Sequence, residues 1–347
     1  MCWWRSVACM ASGVMVGCTP LTGKGRGAQT AFSTDGRADP SPRPARSVQA
    51  RGPADRKGLR TPPVQAPATP NSQDPEVLDR IIAQIETGRL ELPLLPQTAS
   101  QILSLCQSAD CTMQELADLL QRDPTLAANV LRVANSAAHG AVEPIVSLQQ
   151  AASRLGFSTL CEIATAIAVR GKIFTLRGRE AELARMWRHS ATAGTWAKEI
   201  ARKRRRNVEG AFLCGLLHDV GRPVLMQLVH ELAGPAANAH VEGEQRVYDH
   251  FHAEVGARLL VSWAMPAWMV AAIDSHHAPA QAGEHAEAAW IVALADDLAH
   301  WSEQPGAEAD KALRAHPALE PLSLYEEDLD ALLALRERVA AAAEAIS

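Results

Sequence analysis

The chain has 347 residues, 21% of them charged and 4% aromatic, with a formal net charge of −5 at neutral pH. That length suits one large or two modest domains, and the negative balance excludes a general attraction to nucleic acid or to an anionic membrane. The cysteines number seven, with no CxxC pair, and Cys106, Cys111, Cys161 and Cys214 stand among apolar residues. They read as buried, inert thiols of a reducing compartment, and they exclude a thiolate-based zinc site.

Val7 to Gly17 is a short apolar stretch after Arg5, and it ends in Met15-Val16-Gly17-Cys18, an approximation to a lipoprotein cleavage box. Residues 1–18 therefore read as a signal-like segment, too short to span a bilayer. Two locations follow: a cytoplasmic protein, or an exported lipoprotein anchored at Cys18. From Thr19 to Pro70 the chain is rich in Pro, Gly, Ala, Ser and Arg with few large apolar residues. Such a composition buries too little surface to offset the entropy of ordering, so residues 19–73 read as a disordered linker.

Beyond residue 74 the periodicity is helical almost throughout. Asp74 caps a helix with Pro75 at its first position, apolar Val77, Leu78, Ile81, Ile82 and Ile85 recur at helical spacing, and Gly88 ends it. Leu92-Pro93-Leu94-Leu95-Pro96 reads as an extended connection. Thr112-x-x-Glu115 is a capping box, Asp123-Pro124 starts the next helix, Ser147 with Gln150 opens another, and Gly156 closes it. A Ser158 cap begins an apolar segment to Val169. A long helix follows from Glu180 to Arg202, ending in the basic run 202–206, which reads as a solvated helix end. Further helices are expected at 208–220, 223–239, 249–263, 266–277, 285–302 and 323–345, the last capped by Ser323 with Glu326 three residues on. Alternating strand-like runs are missing, so the fold class is all-α.

The chemistry lies in an ordered set of imidazoles and carboxylates: His189, His218, Asp219, His252, His276, His277 and Asp296. Neutral imidazole and carboxylate together suit one or two divalent ions such as Zn, Fe, Mn or Ni, and a carboxylate such as Asp219 can bridge two ions. His139, His230, His240, His285, His300 and His316 read as ordinary core or surface groups, and His252 is preferred to His250 because it opens an apolar-periodic helix.

Several motifs, in order, carry a resemblance. Leu92 to Pro96, Asp123-Pro124-Thr125-Leu126, Leu131-Arg132-Val133-Ala134-Asn135-Ser136 and Leu148 to Phe157 occupy the first half. Trp187-Arg188-His189-Ser190, Gly215-Leu216-Leu217-His218-Asp219-Val220-Gly221, His252-Ala253-Glu254-Val255-Gly256 and His276-His277 occupy the second. From about Leu90 to Trp301 the chain resembles an HDOD domain, the HD-related output domain of bacterial signalling proteins. The resemblance implies a two-lobed helical domain over 74–302, with a first lobe over about 74–175 and an HD-like second lobe over about 176–302, followed by a helical extension at 303–347. It also implies regulation through contact with a signalling protein, with nucleic acid not expected as a partner.

Two departures bear on catalysis. HD phosphohydrolases commonly carry Lys shortly after the His-Asp pair, where this chain has Gly221-Arg222; arginine keeps the charge but is no proton donor at neutral pH. Ala278-Pro279-Ala280-Gln281 stands where HD-GYP phosphodiesterases have Gly-Tyr-Pro. The first expectation is therefore a regulatory output module, and the alternative is a metal-dependent phosphohydrolase in which Asp219 serves the reaction and Arg222 orients phosphate.

Overall fold

Local capping chemistry sets many of the helix boundaries seen in the computed structural model, which describes residues 75–107, 111–136, 139, 144–233 and 241–347. The signal-like and linker readings of residues 1–73 lie outside the described residues, as does His240. Helix α1 is Pro75–Glu86, α2 Gln97–Gln107 and α3 Met113–Gln121. Thr112 caps α3 reciprocally: its hydroxyl accepts from the Glu115 N–H, and the Glu115 carboxylate accepts from the Thr112 N–H at 2.8 Å. Asp123 caps α4 (Pro124–Ala134) and Ser147 caps α5 (Leu148–Leu155), each accepting from a backbone N–H three residues on.

Helix α6 (Phe157–Ile173) departs from the expected Ser158 cap. It begins directly after Gly156, at φ 82°, with no side-chain cap, and reaches four residues past Val169. A left-handed residue closing α5 and opening α6 at one point lets the two helices turn sharply, and glycine adopts that backbone without a Cβ penalty. The second half comprises α7 (Glu180–Arg204), α8 (Val208–Leu217), α9 (Gly221–Ala233), α10 (Val241–Ser262), α11 (Ala267–Asp274), a 3-10 turn at Pro279–His285, and α12 (Ala286–Glu303). The expected helix over 323–345 is two, α14 (Glu326–Leu333) and α15 (Arg336–Ile346), preceded by an unanticipated α13 (Ala307–Arg314). Ser323 is not the cap; it sits at φ 45°, and Asp328 accepts from the Tyr325 N–H at 3.1 Å instead. No strand occurs among the described residues, so the chain is all-α.

The described residues form one unit with three apolar clusters. Ile102, Leu116, Leu120, Val130 and Leu160 fill the first lobe. The largest cluster joins Trp187, Leu216, Leu225, Val255 and Ile273 of the second lobe. Helix α1, placed in the first lobe by the sequence, contributes Ile81 and Ile85 to this larger cluster and packs on α9 and α10. The third cluster sets Trp196 and Ile200 of α7 against Leu294 and Leu298 of α12 and Leu322 beyond it. Val208–Leu232 is apolar and long enough by composition to cross a membrane, yet 78% of its most apolar window is buried in the fold, and it bends into α8 and α9. It is a core element, not a span.

The expectation of inert thiols is corrected at two positions. Cys106 of α2 and Cys161 of α6 form a disulfide, 55 residues apart in sequence, while Cys111 and Cys214 are free. Nothing local marks the pair; only the folded first lobe brings the two helices side by side.

Close backbone approach positions the second lobe's turns. A Cβ on Gly215 would lie 2.7 Å from the Ala193 carbonyl oxygen, and one on Gly221 would lie 2.0 Å from that of His252. Glycine is thus required where α8 meets α7 and where α9 meets α10. A Gly221→Ala substitution must push α9 away from α10, and we expect a loss of about 1–3 kcal/mol in urea unfolding, the usual cost of overpacking a close-packed contact; an unchanged midpoint would show that the two helices do not touch there.

Candidate metal centre

Five elements deliver side chains to one place beneath α7. His189 comes from α7, His218 and Asp219 from the turn after α8, His252 from α10, His276 and His277 from the turn after α11, and Asp296 from α12. The apolar composition of α8 buries its C-terminal half from Cys214 to Leu217, so the His-Asp pair at its end is delivered inside the lobe: His218 is 0% exposed, His252 1% and His276 2%. His277 is exposed at the mouth.

Three of the imidazoles are oriented alike. The Nδ1 atoms of His218, His252 and His276 face the carbonyl oxygens of Gly215, Tyr248 and Ile273 at 2.7, 2.7 and 2.6 Å. A ring nitrogen against a carbonyl oxygen must carry the proton, which leaves a bare lone pair on Nε2 of the neutral ring. Yet His252 Nε2 lies 3.3 Å from His276 Nε2 and 2.8 Å from His277 Nε2, and the buried His218 Nε2 has no hydrogen-bond partner. Lone pairs converge in this way where they share a cation, so the residues present fit a divalent ion.

The carboxylates sit between the imidazoles. Asp219 Oδ1 is 3.3 Å from His252 Nε2 and its Oδ2 is 3.7 Å from His218 Nε2. Asp296 Oδ1 is 2.9 Å from His189 Nε2 and 3.5 Å from His218 Nε2. Their donor atoms gather in groups spanning no more than 4.8 Å: His252, His276 and His277; His189, His218 and Asp219; and His189, Asp296 and His300. All seven residues singled out in the sequence therefore stand together. His300, read there as an ordinary residue, stands with them, its Nε2 3.4 Å from Asp296 Oδ1, and Glu303 Oε1 is 3.8 Å from His189 Nδ1. The spacing Asp296, His300, Glu303 is i, i+4, i+7, one face of a helix, and was the signal available for both. His250 is exposed and packs edge-on against Phe251, and His316 pairs with Asp297 at 2.9 Å.

Arg222 lies behind Asp219. Its Nε donates to Asp219 Oδ2 and a terminal nitrogen donates to Asp249 Oδ1, both at 2.8 Å, and it is 7% exposed. Burial would raise the Asp219 carboxyl, but the charges of Arg222, His218 and His252 outweigh it and hold the group well below its usual range. Asp296 is buried too, but its hydrogen bond with His189 and the nearby charges of His218 and His189 outweigh that burial and hold it well below its usual range. Both are anions at neutral pH.

The histidines divide. Burial pushes His252 down to about 4, only partly opposed by Asp219, and it pushes His276 down too, so this end is neutral and open to a metal. His189 is buried as well, but its hydrogen bond to Asp296, the Glu303 carboxylate 3.8 Å away and the nearby charges of Asp296 and Asp219 overcome that burial and raise it to about 10. In metal-free protein the His252 contribution to stability is present above its ordinary value of 6.5 and is lost as pH falls towards 4. The His189 contribution has the opposite sign: it is complete below 6.5 and is lost as pH rises towards 10. Chelator-treated protein should thus weaken on both flanks in urea titrations, with His252→Gln flattening the acid limb and His189→Gln the alkaline one; a limb that survives its substitution would assign the slope elsewhere.

Comparison with known proteins agrees with this architecture. The HDOD domain family model matches residues 92–279. An uncharacterized protein of Treponema pallidum is 23% identical over 209 residues, 57% of this chain and 40% of that protein, so the chain spans under half of that relative's length. Among solved structures, an HDOD domain protein of unknown function from Geobacter sulfurreducens is 25% identical with a TM-score of 0.60, over 79% of this chain and 99% of that one. A candidate signal transduction protein from Marinobacter aquaeolei is 25% identical with a TM-score of 0.57, over 79% of this chain and 65% of its own. A candidate phosphohydrolase from Shewanella amazonensis shares the fold at 23% identity and a TM-score of 0.60, over 77% of this chain and 98% of its own.

Proposed function

Since the chain belongs to the HDOD domain family, we propose that it is a regulatory output module of bacterial signal transduction, acting through contact with another protein and carrying a divalent metal centre. The observation that carries this reading is Arg222. As the cation behind the ligand cluster, it is held by Asp219 and Asp249 and buried, so it serves to position a carboxylate. A substrate phosphate would have to displace one of those carboxylates to reach it. The candidate signal transduction protein among the structural neighbours supports the same role.

His189, His218, Asp219, His252, His276, His277 and Asp296 would hold the ion, with His300 and Glu303 beside His189. Their all-nitrogen and oxygen donor set suits Fe, Mn, Zn or Ni. When bound, such an ion supplies Lewis acidity and an activated water. The chain's own residues fix ring tautomers through backbone carbonyls, keep both carboxylates ionised and exclude solvent from four imidazoles.

The phosphohydrolase reading retains one specific support: Asp219 stands between the two imidazole groups, where a single carboxylate can face two ions. Metal content of the purified chain, followed by phosphate release from nucleotides and cyclic dinucleotides, decides between the two. Bound metal without turnover supports the regulatory module; turnover that vanishes in Asp219→Ala replaces it with an enzyme. As to location, the Cys106–Cys161 disulfide favours the exported, Cys18-anchored alternative over the cytoplasm, where thiols are kept reduced. Fractionation of the parent beside Cys18→Ala tests it, and an identical soluble distribution of both would count against anchorage.

A further inference from the structure

A second concave site lies on the other side of α7. A groove of about 570 Å³ opens between α4, α6, the segment 174–177 and α7, within the size range of small-molecule pockets. Its apolar wall includes Ile167, Phe174 and Leu183, and three guanidinium groups stand around it: Arg132, Arg170 and Arg177. The carboxylate of the groove, Glu180, is turned back onto the Gly178 N–H at 3.0 Å. Arg132 is in no ion pair among the described residues. Arg170 is half-buried, donates to a main-chain oxygen of Ser347, the last residue of the sequence, lies over the Trp187 ring at 5.9 Å, and has no Asp or Glu side-chain partner among the described residues. Burial and the neighbouring positive charge of Arg132 both disfavour its charged form.

Like charges facing one another across a partly desolvated groove repel, and an anion between them removes the repulsion while accepting forked hydrogen bonds. A groove of this volume holds much more than a bare anion, and its apolar wall would meet the remainder. We propose that this groove binds a small phosphate-bearing molecule of nucleotide size, with the phosphate held by Arg132 and Arg170 and an apolar or aromatic body against Ile167, Phe174 and Leu183. The site is separate from the metal centre. Trp187 of the groove and His189 of the centre are two residues apart on α7, about 200° around the helix, so they face opposite sides. The inference therefore stands whether or not the metal reading does.

The test uses the full chain at about 0.15 M salt, where screening limits non-specific attraction. A fluorescent N-methylanthraniloyl-ATP probe is titrated and then competed with inorganic pyrophosphate. Saturable binding that pyrophosphate displaces, and that Arg132→Glu weakens by about tenfold or more with the thermal midpoint unchanged, supports the site. Arg132 is chosen because it is exposed, whereas Arg170 also holds Ser347 and could disturb folding. His189→Ala distinguishes the two sites and should leave probe affinity as in the parent. The proposal is overturned if no saturation is reached by about 1 mM probe, if pyrophosphate fails to compete, if Arg132→Glu binds as the parent does, or if His189→Ala weakens binding as much as Arg132→Glu.

Discussion

Replacing Asp219 by alanine should lower divalent-metal affinity by at least about a hundredfold, the upper range seen for residues that only support a ligand. Asp219 faces His218 with one oxygen and His252 with the other, while Arg222 grips it from behind. Its loss removes a donor from both imidazole groups at once. It also removes one carboxylate from the buried Arg222, which keeps its bond to Asp249, so metal-free stability should fall too. Asp219→Asn keeps the shape and removes the charge, which separates the two effects. Elemental analysis after preparation with Fe, Mn or Zn reads the first, and urea unfolding of chelator-treated protein reads the second. Parental metal stoichiometry in both variants would place any bound ion elsewhere.

Reduction of the Cys106–Cys161 bond should cost the fold several kcal/mol. A crosslink spanning 55 residues removes loop entropy from the unfolded chain worth about 4 kcal/mol by the chain-entropy relation, with about 2–4 kcal/mol usual in practice. We expect dithiothreitol to shift the urea midpoint of the parent downward, Cys106→Ser to reproduce that shift, and the reductant to add nothing to the variant. Thiol titration of the unfolded parent should show two more reactive groups after reduction than before. A parent insensitive to reductant would mean that the pair is not bonded in solution.

What could be read in the sequence was what depends on near neighbours. Thr112 and Glu115, Asp123 before Pro124, and Ser147 before Gln150 cap their helices through bonds three residues long, so spacing alone locates them. The seven candidate residues could be singled out because imidazole and carboxylate on apolar helices are conspicuous, and the structure brings them together. His300 and Glu303 were not, since an Asp and a His four apart also occur on any solvated helix face; only the packing of α12 against α7 gives them neighbours. The Cys106–Cys161 bond, the glycine-led start of α6 and the break between α14 and α15 are likewise consequences of packing over long separations or of an unusual backbone angle.

Helix α15 follows every other described helix in the chain, yet it enters all three apolar clusters: Ala343 and Ile346 join the largest, Ala345 joins the first lobe's, and Val339 joins the one between α7 and α12. The Ile346 carbonyl oxygen also accepts from the Trp187 indole N–H at 3.2 Å. A segment shared by three cores makes their melting a single event, because none is complete until the same short helix has docked. It also places that event after the other described helices have been made, while their apolar faces still lack this one cover.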